Sequence, residues 1–497
     1  MFFSMSVTKP RKRKRPAIRE DTPADLSDNT DTKSDELDEV VQNPAEAEAE
    51  TDQPISFEEA ARQVLSYNDQ GTFTIPAHGL YPHQWLWDSC FTAIGIRHYD
   101  VERAQLEILS LLRGQWHNGM IPHVILNPNP RDERGKPLRN IDLWRSWLNP
   151  NAPDDVSTSG ITQPPMLAEA VVRIGEKLAW PERRVWYKKV YPALLAYHQW
   201  LFNERDPHHE GLVLQIHPWE TGLDNTPPWM HELHEHLLPW WIRLLKKLQL
   251  DTVFGWFRSD RKYVSLDERE SNVEALAVYD AQRRFRRKSY DFDRIIDHAL
   301  FAIEDLSFNA IFIRANDHLK DIAKAIRQEL PDDLSASINK SRQTFEELWD
   351  DYSSEYFSRD FVSHKLLKQS SIAALMPLYA GCISKDKAAS IVKLLENEHR
   401  FGPAYPVPSA PLDSPWFRPH KYWRGPVWVN MNWMIIDGLR RYGYDDHAEA
   451  LAESTLEMIE KSGFFEYFDP LDGTPAGADN FSWTAALAID LSRQNKA

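Results

Sequence analysis

Two carboxyl residues lie among aromatic side chains in segments that are rich in Pro, Gly and Trp. Asp224 lies within 217–229, which contains two Trp and three Pro, and Glu466 lies within 463–470, which contains four aromatic residues. A carboxyl group that apolar neighbours shield from water keeps its proton more readily and suits a general acid. Glycoside hydrolysis needs two carboxyl groups across one bond, and Asp224 with Glu466 is one candidate pair.

The same residues also allow a purely structural interpretation. Asp and Asn side chains close turns, which would account for Asp224 and Asn225 without any catalysis. Glu466 would equally suit a short aromatic strand with one solvated acid. Glu220 is a second candidate for the general acid, and Asp469 lies close to Glu466. Because Asp224 and Glu466 are 242 residues apart, only the fold could bring them together.

The distribution of tryptophan indicates an aromatic pocket. The chain contains 19 Trp, and none lies between Trp256 and Trp349, where the helical pattern is plainest. Several lie instead in the connectors 81–89, 217–229 and 422–430. Flat aromatic rings fill cores, but they also stack on the apolar faces of sugars. We therefore expect the connectors to meet at one aromatic-lined pocket, although Trp packing at helix starts explains the same residues about as well.

The elements that must position these residues are helices. Apolar residues recur with a helical period, as in Ile311, Ala315, Leu319, Ile322, Ala323 and Ile326. Alternating strand patterns are scarce from residue 56 onward, and no rhythm of alternating strands and helices is visible. The sequence therefore predicts a many-helix domain whose irregular connectors carry the function.

Composition excludes several classes of protein. The chain of 497 residues has a formal net charge of −16, which argues against nucleic acid as the main partner. No stretch approaches 18 apolar residues, so no membrane span is expected. The two cysteines, Cys90 and Cys382, exclude a disulfide scaffold and fit a reducing compartment, which favours a cytoplasmic location.

The first 55 residues differ from the rest of the chain. They contain 13 Asp/Glu and 8 Lys/Arg and few large apolar residues, so we expect a disordered tail. The basic run 11–15 is either a solvated start to this tail or a nuclear localisation patch. Residues 56–497 are predicted to form one domain, with an insertion at about 228–285.

Other site types find little support. The run His231 to His236 resembles a metalloprotease motif, but no His follows His231 by four residues, so a solvated helix face is favoured. Glycine-rich phosphate loops and nucleophile elbows are absent from the sequence. We therefore expect no metal and no cofactor.

Seven segments in order resemble glycoside hydrolase family 63, in particular its short bacterial branch of mannosylglycerate and glucosylglycerate hydrolases. Between Tyr81 and Leu487 they read YPHQWLWDS, GMIPH, TSGITQPP, ETGLDN, YWRGPVW, GFFEYFDP and FSWTAAL. The resemblance implies an all-α fold, the (α/α)6 barrel, and an inverting α-glycosidase for a small glucoside or mannoside. It also implies that Asp224 is the general acid and Glu466 the general base.

The resemblance implies further contacts with the substrate, a small carbohydrate. Matching segments line the glycone site of the family and contain Tyr81, Trp87, Asp88, Gln163, Trp219, Tyr422, Trp423 and Trp428. Arg258 lies where the glycerate-cleaving branch resembles a carboxylate site, although an exposed pair with Asp260 explains it equally well. The alternatives are an α-glucosidase for oligosaccharides and a catalytically inactive carbohydrate-binding protein.

Overall fold

A computed structural model of the chain describes residues 55–138, 142–234, 238–252, 262–265, 268–297, 299 and 301–494. The predicted tail, apart from Ile55, and Arg258 lie outside the described residues. No described helix is both long enough and apolar enough to cross a membrane.

Sixteen α-helices are present in the described residues. They are α1 (Phe57–Tyr67), α2 (Leu86–Ile96), α3 (Val101–Leu112), α4 (Leu167–Glu176), α5 (Trp180–Arg205), α6 (Pro227–Glu232), α7 (Trp240–Lys247), α8 (Asn272–Arg287), α9 (Phe292–Ile296), α10 (Leu306–Ile326), α11 (Asp332–Thr344), α12 (Pro377–Ala380), α13 (Lys385–Glu396), α14 (Val429–Arg441), α15 (Asp445–Ser462) and α16 (Ser482–Gln494). Four 3-10 turns cover Ser146–Leu148, Pro218–Glu220, Phe345–Leu348 and Ile372–Leu375.

Six of these helices form a closed inner ring. In the order α2, α4, α10, α12, α14 and α16, each helix packs on the next, and α16 packs on α2. The helices α1, α3, α5, α11, α13 and α15 alternate with them along the chain and form the outer layer. The chain therefore folds as the predicted all-α (α/α)6 barrel.

Burial explains which helices lie inside. All eleven residues of α2 are buried, whereas α3 buries one face through Ala104, Glu107, Ile108 and Leu111. A helix that is apolar all round needs neighbours on every side, and an amphipathic helix covers it from one side. The packing of Phe312 of α10 on Phe202 of α5, with ring centroids 4.8 Å apart, joins the two layers. Phe312→Ala should cost about 3–5 kcal/mol.

A buried ion-pair network also joins inner helices. Glu169 of α4 accepts hydrogen bonds from Arg173 at 2.7 Å and from Tyr379 of α12 at 3.1 Å, and it contacts His318 of α10. Breaking such a network by removing one partner is costly because a charge is then left unpaired in the core. The network fixes the relative positions of α4, α10 and α12.

Short two-residue strands support the connectors. The pairs are all antiparallel: β1 (Gln84–Trp85) with β2 (Val124–Ile125), β3 (Ile303–Glu304) with β6 (Arg359–Asp360), β4 (Trp349–Asp350) with β5 (Glu355–Tyr356), and β7 (Tyr467–Phe468) with β8 (Pro475–Ala476). The β7–β8 hairpin follows Glu466, and β1 leads into α2, so both pairs hold connectors that contain candidate site residues.

The helices α6 to α9 fall between outer helix α5 and inner helix α10, outside the alternation of layers. Helix α8 begins with a capping box, in which the Ser271 hydroxyl accepts from the Glu274 backbone and the Glu274 carboxylate accepts from Ser271 N. The predicted insertion at about 228–285 falls in this stretch, and its limits stay a prediction.

Candidate active site

A cavity of about 410 Å³ lies where connectors meet at one end of the barrel. Its lining comes from segments that precede or begin five inner helices: 80–88 before α2, 123–163 before α4, 219–282 before α10, 422–423 before α14 and 466–483 before α16. Because the chain alternates between layers, the N-terminal ends of the inner helices lie at one end of the barrel. The fold therefore collects distant segments around one cavity.

Asp224 lies in a tightly folded turn. The Thr221 hydroxyl accepts from Leu223 N at 3.0 Å and donates to Pro218 O at 2.9 Å. Gly222 has a φ of +73°, and a Cβ at this position would come within 2.7 Å of the Trp87 ring. Glycine is therefore required where the turn presses against the cavity wall.

Below this turn, Glu220 is fully buried and does not line the cavity. It accepts from Arg205 at 2.7 Å and from Ile216 N at 2.8 Å. These contacts make Glu220 a support for the turn rather than an acid that faces a substrate.

The surroundings of Asp224 favour its protonated form. The pKa of Asp224 is raised from 3.8 to about 8, mainly by desolvation and next by the nearby Glu270. The Tyr422 hydroxyl, which donates to Oδ2 at 3.2 Å, and the Arg269 cation act in the opposite direction. Since desolvation outweighs them, Asp224 keeps a proton near neutral pH, as a general acid must.

Glu466 is almost completely buried, but its carboxylate is surrounded by donors. Arg269 Nη2 lies 3.2 and 2.9 Å from its two oxygens, the Tyr81 hydroxyl donates to Oε1 at 2.7 Å, and Ala478 N donates to Oε2 at 2.9 Å. Hydrogen bonds to a charged carboxylate from a cation are the stronger kind. This is the environment that a carboxylate acting as a general base requires.

The loop after Glu466 is shaped around the carboxylate. Gly477 has a φ of +76°, and a Cβ there would come within 2.6 Å of Glu466 Oε2. The Gly477 amide donates to the Glu268 carboxylate at 3.0 Å, and the Tyr467 hydroxyl donates to Glu268 O at 3.1 Å. The segment that contains Glu268 and Arg269 therefore holds both the carboxylate and its hairpin in place.

Two tyrosine hydroxyls connect the two carboxyl groups. From Glu466 Oε1 the contacts run to the Tyr81 hydroxyl, to the Tyr422 hydroxyl and to Asp224 Oδ2. Because these steps measure 2.7, 3.4 and 3.2 Å, the two carboxyl oxygens lie no more than 9.3 Å apart, the total of the three steps. This limit is compatible with the separation of about 6.5–9.5 Å at which a water fits between acid and base in inverting glycosidases.

A third carboxyl group, that of Asp88, lines the same cavity at the start of α2. Desolvation raises its pKa well above the usual range, and Glu466 and Asp224 also raise it. A carboxyl group in this state can donate a hydrogen bond to a sugar hydroxyl.

The aromatic residues form a layered wall. Trp87 and Trp423 line the cavity, with ring centroids 6.1 Å apart. Trp428 does not line it: this residue is fully buried and stacks behind Trp423 at 3.8 Å and 4°. Its indole nitrogen donates to Tyr422 O at 3.1 Å. Trp428 therefore supports the wall, whereas Trp87 and Trp423 can contact a ligand.

On another side of the cavity, Trp219 stacks on His123 with centroids 5.9 Å apart, and Gln163 accepts weakly from Trp87 N at 3.4 Å. Trp229, the second Trp of the segment 217–229, stacks on Phe301 in a separate cluster. Burial, rather than two flanking tryptophans, is thus the main cause of the raised pKa of Asp224.

Several lining residues were missed by the sequence analysis. Arg269 and Glu270 lack aromatic neighbours in the sequence, so nothing in the local pattern marks them. His83 and His123 also line the cavity, and burial lowers their pKa values to about 4 and about 3, so both are neutral at pH 7. Trp144 could have been found only by extending the argument about tryptophan-rich connectors to a shorter segment.

Two further sequence candidates lie elsewhere. Asp469 contacts His420 at 2.8 Å and accepts from Leu471 N at 2.7 Å, and it is not among the lining residues. His234, from the motif that resembles a metalloprotease, contacts Glu274 at 3.0 Å. Both residues have local structural partners.

Comparison with known proteins identifies relatives over most of the chain. A family model described as the mannosylglycerate hydrolase MGH1-like glycoside hydrolase domain matches residues 81–484. Mannosylglycerate hydrolase from Thermus thermophilus is 38% identical over 437 residues, which cover 87% of this chain and 100% of the relative. Glucosylglycerate hydrolase from Mycolicibacterium hassiacum is 33% identical over 452 residues, which cover 88% of this chain and 98% of the relative.

The fold has also been observed in solved structures. The crystal structure of GH63 mannosylglycerate hydrolase from Thermus thermophilus in complex with Tris and D-glycerate superposes with a TM-score of 0.78 at 37% identity. That match covers 88% of this chain and 100% of the crystallised chain. The neutral trehalase Nth1 of Saccharomyces cerevisiae, with a TM-score of 0.52 at 18% identity, shares the fold.

Proposed function

The chain belongs to the mannosylglycerate hydrolase MGH1-like family of glycoside hydrolases, and from this membership we propose that it hydrolyses a small α-mannoside or α-glucoside with inversion at the anomeric carbon. The resemblance to glycoside hydrolase family 63 is confirmed, and the chain is an O-glycosyl hydrolase. Mannosylglycerate and glucosylglycerate are the substrates that the names of the relatives suggest.

The observation that supports this function best is the contrast between two carboxyl groups at one cavity. Asp224, with its raised pKa, would protonate the leaving oxygen as the glycosidic bond breaks. Glu466, hydrogen bonded to Arg269 and Tyr81, would take a proton from the water that attacks the opposite face of the sugar. The protons balance, because Asp224 donates one to the leaving oxygen and Glu466 takes one from the attacking water.

The glycone would bind among the lining residues that the sequence predicted. We assign ring stacking to Trp87, Trp423 and Trp219 and hydroxyl contacts to Asp88 and Gln163, since all five line the cavity. Tyr81 and Tyr422 lie between the two carboxyl groups and would hold them at a fixed separation through their hydrogen bonds. Trp428 would support the glycone site indirectly, because it stacks behind Trp423.

An acid-bearing aglycone needs a cation. Among the described lining residues Arg269 is the only Lys or Arg, and it is already paired with Glu466. A second cation would therefore bind the carboxylate, and we keep Arg258 as that residue because guanidinium binds carboxylate in a bidentate manner. Arg258→Lys should raise KM for an acidic glycoside much more than for a neutral one. Equal increases would remove Arg258 from the site.

A hydrolysis screen of the full chain tests the function. The substrates are mannosylglycerate, glucosylglycerate, trehalose and α-linked oligosaccharides, and proton NMR follows the anomer that forms first. We expect turnover of one of the glycerate-linked sugars with release of the β-anomer. Preference for oligosaccharides would favour the α-glucosidase alternative, and absence of turnover with measurable sugar binding would favour an inactive binding protein.

The location and the domain limits are also proposals. Cys90 is buried, Cys382 is half-buried, and both are free thiols, as expected in a reducing compartment such as the cytoplasm. We propose that residues 56–497 form the catalytic domain, since the family model matches 81–484 within it.

A further inference from the structure

Two histidines and a glutamate converge on the surface, apart from the cavity. His208 and Glu210 lie in the connector after α5, and His364 lies in the turn after β6. One ligand atom from each residue lies within 4.8 Å of the others, and His364 Nε2 is 3.5 Å from Glu210 Oε2. Among the described residues, this is the one group of three His, Cys, Asp or Glu side chains that approach so closely.

The connector that contains His208 and Glu210 is held by its own hydrogen bonds. The Asp206 carboxylate accepts from Glu210 N at 2.7 Å and from Gly211 N at 2.8 Å. Lys340 donates to His209 O at 2.6 Å, and the His208 ring stacks on Phe361 with centroids 4.9 Å apart. The backbone at His209 and Glu210 and the plane of the His208 ring are therefore held in place.

The second segment is fixed in a similar way. His364 N donates to Asp360 O at 2.9 Å, and the Asp360 carboxylate accepts from Ser363 N at 2.7 Å. His364 has a φ of +57°, in the left-handed region that His and Asn tolerate better than most residues. To bind a metal ion, His364 would need only rotations of its exposed side chain.

The charges around the group favour a cation. Glu304 and Glu347 lie beside it and share Arg359, which contacts Glu347 at 2.9 Å but Glu210 only at 3.5 Å. With Asp206 and Glu210, carboxylates outnumber the cations Arg359 and Lys340 among the groups in contact. The guanidinium is therefore already neutralised by other partners, and the Glu210 carboxylate keeps capacity for a further positive charge.

We propose that His208, Glu210 and His364 bind a divalent metal ion and that they prefer Zn²⁺. Imidazole nitrogen and carboxylate oxygen suit zinc better than Mg²⁺ or Ca²⁺, which take oxygen ligands. Ligand atoms of a tetrahedral zinc lie about 3.3 Å apart, so the group closes on the ion by a movement of about 1 Å in the exposed His208 and His364 and the half-buried Glu210. Water completes the coordination.

The bound ion would be structural, because none of its three ligands lines the catalytic cavity. It would join the connector after α5 to the β3–β6 sheet, two segments that lie far apart in the chain. A metal bound only by the folded protein raises Tm with its concentration. Glycoside hydrolysis should continue after chelation, and this separates the proposal from the function proposed above.

Titration of the untagged, metal-free full chain with Zn²⁺ tests the site, by calorimetry and by thermal unfolding. We expect one saturable site at micromolar zinc and a Tm that rises with zinc concentration. His364→Asn keeps the left-handed backbone and His208→Phe keeps the ring against Phe361. Each should weaken the binding on the order of tenfold or more.

The matched control is His447→Asn, which removes an exposed histidine that contacts a single carboxylate, Glu396, at 2.8 Å. Its zinc affinity should equal that of the unaltered chain. Unchanged affinity in His364→Asn and His208→Phe, or no saturable binding below about 100 μM zinc, would overturn the site. The Tm of each variant without zinc shows whether the fold itself has been altered.

Discussion

The two carboxyl groups that we propose as the acid and the base of this cavity lie in opposite surroundings. Asp224 lies in a turn where desolvation and the nearby Glu270 favour the protonated form. Glu466 lies deeper, yet an arginine, a tyrosine hydroxyl and a backbone amide all donate to it. Burial alone therefore does not decide the role of a carboxyl group, because the donors that accompany it decide which form is stable.

Arg269 connects these two environments. It pairs with Glu466 at 2.9 Å, and its guanidinium carbon lies 4.4 Å from the centroid of the Tyr422 ring. Tyr422 in turn donates to Asp224 and has a φ of +49°, a strained backbone for a tyrosine. Such strain persists only where surrounding contacts enforce it, and here the contacts come from both the acid and the base side.

The largest effect is expected from removing either carboxyl function. Asp224→Asn and Glu466→Gln keep the side-chain volume but remove the proton donor or the base. Each should lower kcat on the order of 10²-fold or more, with smaller effects on KM, in steady-state assays. Glu220→Gln serves as the comparison, since Glu220 supports the turn from below. If Glu220→Gln lowered kcat as strongly with an unchanged Tm, the assignment of Asp224 would be wrong.

A smaller loss is expected when Glu466 keeps its carboxylate but loses its cation. Arg269→Met should lower kcat about tenfold, because the Glu466 carboxylate loses the charged donor that contacts both of its oxygens. Arg269→Lys keeps the charge and should recover part of the activity. A kcat in Arg269→Met equal to that of the unaltered chain, measured at the same pH, would show that the ion pair does not support the base.

Replacement of the two carboxyl groups by amides should change Tm in opposite directions. The pKa of Asp224 is about 8 in the folded chain and 3.8 as its ordinary value, so between pH 4 and 8 the folded state holds a proton that the unfolded state releases. The stability contributed by this group therefore falls as pH rises through that window. Asp224→Asn should gain Tm relative to the unaltered chain between pH 5 and 8.

Glu466→Gln should instead lose Tm at every pH in that window, because Arg269 is left buried without its counter-charge. Melting curves of both variants and of the unaltered chain at several pH values provide the comparison. A difference in Tm for Asp224→Asn that does not vary with pH would show that Asp224 is ionised in the folded protein.

The smallest effects concern neighbours of the acid. Glu270→Gln removes a charge that raises the pKa of Asp224, so the alkaline limb should move to lower pH. Tyr422→Phe removes a donor that lowers this pKa, so the limb should move to higher pH. Both shifts should be less than about one pH unit and are read from kcat/KM profiles. Shifts of the same sign would contradict the account.

The helical character of the fold could be predicted from the sequence, because apolar residues that recur with a helical period indicate helices. The period through Ile311, Leu319 and Ile326 lies within α10, and the absence of strand patterns excluded a large sheet. The closed ring itself was implied by the resemblance and not by periodicity. Which helix lies inside depends on packing partners far along the chain, and no local pattern contains that information.

The candidate site was predicted unevenly. The aromatic connectors correctly indicated Trp87, Trp219 and Trp423 as residues that line the cavity. The same signal also marked Trp428, because a ring that supports a wall and a ring that forms its surface look alike in sequence. Arg269 was missed since its role arises only when the segment before α8 meets the hairpin after Glu466.

The comparison of Asp224→Asn with Glu466→Gln on a substrate with an activated leaving group tests the central assignment most directly. A 2,4-dinitrophenyl α-glycoside of the accepted sugar releases dinitrophenolate, which leaves as an anion without protonation, so its hydrolysis needs the base but not the acid. For each variant, kcat/KM is compared with that of the unaltered chain on the same substrate. We predict that the loss in Asp224→Asn is at least tenfold smaller on the activated substrate than on the natural one, whereas the loss in Glu466→Gln stays large on both. Recovery in Glu466→Gln, or equal recovery in both variants, would contradict the assignment of acid and base.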